Sequence, residues 1–154
     1  MRRPSFGRAV LVGGTIAGAL DIAFALSFAG AEGVAPQELL QTVASGLLGQ
    51  AAYSGGTPVA WLGLACHIAL SYVWAALFAG VATWQPRVLE RPLLAGIVFG
   101  ILVFFAMRLV VLPLSAFPHP VRFRPLAATL DILSHMLLFG FPIAAAANRY
   151  LRPR

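Results

Sequence analysis

The chain is all-α, and three observations predict it. Four apolar stretches are each long enough to cross a bilayer. Prolines and glycines separate them. Hydrophobic residues make up 60% of the 154 residues and charged residues only 10%, against about a quarter charged in a typical soluble domain. So few charges cannot cover a water-exposed surface, and lipid contact accounts for the excess. The expected architecture is one integral membrane domain, residues 1–154, folded as a four-helix bundle with a short amphipathic helix on the outer side.

The spans are expected at about 9–29, 58–83, 93–112 and 126–147, each close to the ~20 residues that cross ~30 Å of hydrocarbon. Gly55, Gly56 and Pro58 open the second span, and Pro86 and Pro92 bracket the turn into the third. Pro113, Pro118, Pro120 and Pro125 mark the connection to the fourth. Proline lacks a backbone donor and clashes with the preceding turn. Pro142, inside the fourth span, therefore predicts a kink. Between the first two spans, Pro36 starts a stretch in which Leu39, Val43 and Leu47, and Leu40, Ala44 and Leu48, recur four apart, with Gln37, Glu38, Gln41 and Ser45 on the other side. This predicts an amphipathic helix over about 36–49, too short to span. It is expected to pack on the bundle surface or to act as a lid.

Net charge is +6, carried by eleven arginines with no lysine. Arg2, Arg3, Arg8, Arg87, Arg91, Arg149, Arg152 and Arg154 flank one end of the spans, and Arg122 and Arg124 the other. That bias places both termini in the cytoplasm. The first external loop, with Glu32 and Glu38, carries no positive charge, in agreement. The same clustering at span ends argues against nucleic acid, since there is no basic helix face or stacking platform. Arg2 and Arg3 before an apolar run read as a topology anchor rather than a cleaved leader, because that run is long and contains Asp21. The single cysteine, Cys66, excludes an intrachain disulfide and any CxxC site.

Five ionisable residues lie within the apolar spans: Asp21, His67, Arg108, Asp131 and His135. Hydrocarbon cannot solvate them, so each must face a partner or a wet cavity, and together they form the candidate ligand-binding or proton-handling site. Counting about 1.5 Å per residue from the cytoplasmic ends puts them about 18 to 24 Å in, as one layer in the outer half. Asp21 shares a stripe with Gly14, Gly18 and Ala25, and Arg108 follows Gly96, Gly100 and Phe104 at four-residue spacing. Small residues let helices approach closely in lipid, so the charges share faces with the helix contacts. Gly63, His67, Ser71 and Trp74 share a face, as do Asp131 and His135. Arg108 cannot lose its charge and requires Asp21 or Asp131. The remaining acid is expected to hydrogen-bond a histidine.

Several chemistries are compatible with such a set. A satisfied ion-pair network fixing helix register is the plainest. His67 and His135 on different helices meet the minimal requirement for b-type haem. A metal held by His67, His135 and Asp131 is disfavoured by Arg108. Proton or small-solute transport would need an oligomer, because four helices leave little for alternating access. Ser71 near His67 has no elbow motif or oxyanion hole, which argues against an enzyme. His119, in the outer loop, is expected to be solvated. The expectation is a non-enzymatic protein without a resident cofactor. Its partners are the lipid bilayer and either its own copies or a larger membrane complex.

The second half carries Leu64-Ala-Cys-His67-Ile-Ala-Leu-Ser71, Leu93-Leu-Ala-Gly96, Leu112-Pro113-Leu114, Ser134-His135-Met136-Leu137 and Asn148-Arg149. Over roughly residues 60–150 these resemble the YagU-like bacterial four-span inner-membrane proteins. The resemblance implies a small helical inner-membrane protein with His67 and His135 in the family's histidine positions, and brings no biochemical activity with it.

Overall fold

A computed structural model describes residues 4–152; Arg2, Arg3 and Arg154 of the topology argument lie outside them. Five helices follow in order: α1 Phe6–Ala31, α2 Pro36–Leu48, α3 Gly56–Trp84, α4 Pro92–Leu114 and α5 Pro125–Leu151. All but α2 are long and apolar enough to cross a membrane, which makes the chain a multi-pass membrane protein by length and composition. Short 3-10 turns at Gly49–Ser54 and Pro86–Leu89 complete the connections. Proline opens α2, α4 and α5 within their first turn, where its missing N–H breaks no helical hydrogen bond.

The first and last described residues lie at one end of the bundle. The Ser5 amide donates to the Tyr150 carbonyl at 2.9 Å, and Asn148 Nδ2 donates to the carbonyl of Leu89 in the turn between α3 and α4. The opposite end carries α2 and the 115–124 loop, pinned to α1 by Arg124 and Glu32 at 3.0 Å. Helix α1 sits between α3 and α5, and α4 packs on the far side of α5. Trp74 and Phe78 reach from α3 to Phe99 on α4.

Small residues hold the bundle together. Ala9, Ala17, Ala75, Ala79, Ala144 and Ala147 are buried with Phe78, Val103, Phe139 and Ile143, while Leu11, Leu77, Leu102 and Leu109 point outward. In lipid there is no solvent-driven gain from burying leucine, and close backbone approach is what binds helices. Gly14 and Gly18 of α1 admit Tyr72 and Ser71 of α3, and Gly96 and Gly100 of α4 face the Gly140 and His135 backbone of α5.

Two helices widen where they carry charge. Met107–Val111 in α4 and His135–Gly140 in α5 are π-helical, closed by Leu112 N–H to the Met107 carbonyl and Phe141 N–H to the Met136 carbonyl. A proline, Pro113 or Pro142, stands one residue beyond each wide turn. Proline cannot supply the amide of a regular turn, and a five-residue hydrogen bond from the residue before it keeps the helix continuous. At Pro142, where a kink was expected, the structure shows this widened turn.

Helix α2 buries parts of both its faces, with Leu39, Leu40 and Val43 half-buried and Gln37 and Glu38 exposed. Its buried residues are Gln41, Ala44 and Ser45, while Leu47 and Leu48 are exposed. Gln41 Nε2 donates to the Gly56 carbonyl at 3.2 Å, Thr57 Oγ1 donates to Gln37 Oε1 at 3.1 Å, and Ala116 N–H donates to the Gly46 carbonyl at 2.9 Å. The Leu40 carbonyl lies against Gly63, leaving no room for a side chain there. Amphipathic spacing revealed two faces but not which one packs inward. A Gly63→Leu variant should push α2 off α3 and leave the four long helices assembled. In a Cys66→Ala background, an Ala44→Cys thiol, fully buried in the parent, should then change from unreactive to readily alkylated by maleimide. Continued protection at position 44 would show the packing to be dispensable.

Candidate functional site

The five ionisable residues of the spans form one chain across all four long helices. The Arg108 guanidinium donates through Nη2 to Asp131 Oδ2 at 2.6 Å. Asp131 Oδ1 lies 3.2 Å from His135 Nδ1. That nitrogen is also 2.9 Å from the Asp131 carbonyl oxygen, and 4.0 Å further on is Asp21 Oδ1. The other oxygen of Asp21 is 4.0 Å from His67 Nε2, which is 3.0 Å from the Gly18 carbonyl oxygen. Carbonyl oxygens only accept, so His67 carries its proton on Nε2 and His135 on Nδ1.

Within the expected layer the five residues are graded in depth. Helical rise puts Arg108 and Asp131 about 9 Å from the ends of α4 and α5 that hold α2 and the 115–124 loop. Asp21, His67 and His135 are about 15 Å from the same end. Accessibility follows this depth: Asp131 is 30% exposed, Arg108 23%, and Asp21, His67 and His135 between 13% and 15%.

One of the two acids proposed for Arg108 takes it, and the pairing of the other differs from expectation. Asp131 serves both Arg108 and His135 because it lies one turn from His135 on the same helix. Asp21 accepts instead from Ser134 Oγ at 3.2 Å, and neither imidazole is within hydrogen-bonding distance of it. Ser134, buried beside His135, was not singled out in the sequence, although its place between Asp131 and His135 was a usable signal. Phe104 and Phe123 were also missed as part of the site. Their rings lie 5.1 and 5.5 Å from the Arg108 guanidinium carbon, a cation–π distance. Arg108 Nη1 also donates to the Arg122 carbonyl at 3.3 Å, tying the chain to the loop. Ser71 Oγ donates to the His67 carbonyl at 2.9 Å. It is a helix-internal bond, not a nucleophile–base contact. His119 is exposed, as expected, and leans on Tyr53 and Phe117.

A haem does not fit His67 and His135. Axial ligation needs both imidazoles free to face one iron position. Here the Asp21 carboxylate stands between them, and both ring nitrogens nearest it engage backbone carbonyls. Among the described residues no three His, Cys, Asp or Glu side chains are grouped to hold a metal ion, and Asp131 is committed to a guanidinium.

Below the chain, toward the termini, Ala9, Ala75, Phe78, Ala79, Ile143, Ala144 and Ala147 make up most of the core, with the buried Ser71 hydroxyl and Trp74 indole nitrogen among them and a Thr15–Tyr72 hydrogen bond at 2.9 Å beside them. The arrangement is thus a polar path that enters from one end and stops inside the bundle. It can bind, hold or exchange protons among side chains, or seat a small polar ligand. No protein-family model, curated protein or solved structure matches the chain.

Proposed function

We propose that this is a non-enzymatic, multi-pass protein of the bacterial inner membrane with both termini in the cytoplasm. Its buried chain binds a ligand from the outer side, and that ligand is a proton. The arginine bias between the two ends supports the orientation, and the resemblance to YagU-like proteins supports the bacterial inner membrane.

One observation carries the reading: the permanent charges do not cancel. Arg108 neutralises Asp131, with which it shares a 2.6 Å contact, and Asp21 is left without a cation of its own. A lone carboxylate largely withdrawn from water is costly. One proton, residing on Asp21 or on either flanking imidazole, brings the group to neutrality. Two histidines stand 4.0 Å from opposite oxygens of that carboxylate, so a proton taken up by either imidazole places a cation beside it. The graded exposure from Asp131 inward supports an outer entry, and the alanine-rich core below supports a dead end rather than a channel. The protein is therefore read as a proton-responsive binding or accessory subunit.

Histidine side-chain NMR of the protein in nanodiscs tests this. Asp21→Asn should move the imidazole 15N signals of both His67 and His135, the two rings 4.0 Å from its carboxylate, and leave those of exposed His119 in place. Signals of His67 and His135 identical in parent and Asp21→Asn would refute the proposed proton site. Liposomes loaded with a pH dye should show no sustained proton flux. Flux abolished by Arg108→Leu would favour a carrier instead.

A further inference from the structure

A second polar feature lies at the opposite end of the bundle, where the termini and the turn between α3 and α4 meet. Gln85, Pro86, Arg87, Leu89, Glu90 and Arg152 line an open cleft of about 470 Å³. We propose that this cleft binds the headgroup of phosphatidylethanolamine, its phosphate on Arg87 and Arg152 and its ammonium on Glu90.

The cleft is built rather than incidental. Leu89 is buried, with 2% of its surface exposed, and its carbonyl accepts from Asn148 Nδ2, so the turn is fastened to the last helix of the bundle. Leu151, next to Arg152, is buried as well. The walls therefore belong to one rigid unit, and the charged side chains project from it.

The charges specify the ligand. Arg87 and Glu90 are three residues apart across a 3-10 turn, with Glu90 N–H bonded to the Arg87 carbonyl at 3.0 Å. Side chains at that spacing eclipse in a 3-10 helix, so the two lie on one side. Arg152 adds a second cation from the end of α5. Glu90 makes no ion pair within 4.0 Å among the described residues. Two guanidiniums suit a phosphate diester, which takes their paired N–H donors. A purely anionic headgroup would leave the Glu90 carboxylate facing like charge, whereas a primary ammonium gives it three donors.

Position specifies the source as lipid. Trp84 ends α3 one residue before the cleft and is almost wholly exposed, and Leu93 and Leu94, just beyond it at the start of α4, also face outward. An exposed indole at the end of a spanning helix marks the headgroup level. Basic pockets at that level are where phospholipid headgroups are held.

The test is native mass spectrometry of the full-length protein, released from detergent micelles doped with dioleoyl phosphatidylethanolamine, phosphatidylglycerol or phosphatidylcholine. The parent should retain phosphatidylethanolamine at least fivefold more than the other two. Arg87→Gln with Arg152→Gln should lower retention of all three to a common background. Glu90→Gln should remove the preference for phosphatidylethanolamine while leaving phosphatidylglycerol retention unchanged or higher. Thermal unfolding in detergent, unchanged in these surface variants, shows that the fold is kept. Equal retention by parent and double-arginine variant, a preference that survives Glu90→Gln, or displacement of bound lipid by millimolar inorganic phosphate would each overturn the proposal. None of these outcomes bears on the proton site at the other end.

Discussion

Arg108→Leu is expected to destabilise the bundle by about 3–5 kcal/mol, and Asp131→Leu by a similar amount, while the double variant Arg108→Leu/Asp131→Leu returns to within about 1–2 kcal/mol of the parent. Each single change strands a charge about 9 Å inside the bundle, where water reaches it only in part. The double change removes both charges and leaves an apolar contact beside Phe104 and Phe123. The Asp131 position suits the measurement because the His135 imidazole keeps its bond to the Asp131 backbone carbonyl whatever side chain stands there. The non-additivity therefore reports the ion pair. Unfolding in mixed micelles with increasing dodecyl sulfate reads it directly. Losses that simply add in the double variant would mean that the two charges act independently, and the 2.6 Å contact would have no energetic meaning.

The second large effect lies at the glycine contact of α4 and α5. A Cβ at Gly140 would run into the Gly96 carbonyl and the Gly100 backbone, and one at Gly100 into the His135 carbonyl. Alanine is the better helix former by about 1 kcal/mol, so on propensity alone Gly140→Ala and Gly100→Ala should stabilise. The obstacle is backbone, which cannot rotate aside as a side chain can. Separating two helices by the width of a methyl group outweighs the propensity gain, for a net loss of about 2–3 kcal/mol. Gly80→Ala, with nothing within 4 Å of the added carbon, is the matched control and should gain up to about 1 kcal/mol. Thermal unfolding of the three variants in one detergent ranks them. Tolerance at Gly100 and Gly140 equal to that at Gly80 would show that the close approach does not hold the helices together. The Gly100 variant has a further effect, because its new methyl presses on the residue that carries His135. Its histidine titration should change along with its stability.

Much of this was legible in the residues. Span positions followed from length and punctuation. Asp21 and Arg108 stood out as charges on small-residue stripes, which are the faces that other helices cover. The pairing within the site was not legible, because it depends on which oxygen faces which helix. Ser134 reached Asp21, and Asp131 took two partners, for reasons of rotamer and helix rotation that periodicity does not encode. The wide turns were half visible: Pro113 and Pro142 announced a departure from the regular helix, but not whether the chain would bend or loosen. Phe123 lay in a proline-rich loop with no pattern at all, and only the fold of that loop laid it over Arg108. For α2, the spacing of leucines and amides described a two-faced helix, and the choice of inner face was settled by the Gly63 gap on α3.

That choice has a consequence for biogenesis. The ribosome releases a chain from its N-terminus, at about 5–20 residues per second, so residues 36–48 emerge before the acceptor at Gly56 and the notch at Gly63 exist. During that interval the amide side of α2 has nothing to grip. Leu47 and Leu48, already turned the way they will finally point, can rest against acyl chains. The helix is thus parked by its greasy side and locked only when the next hairpin arm inserts.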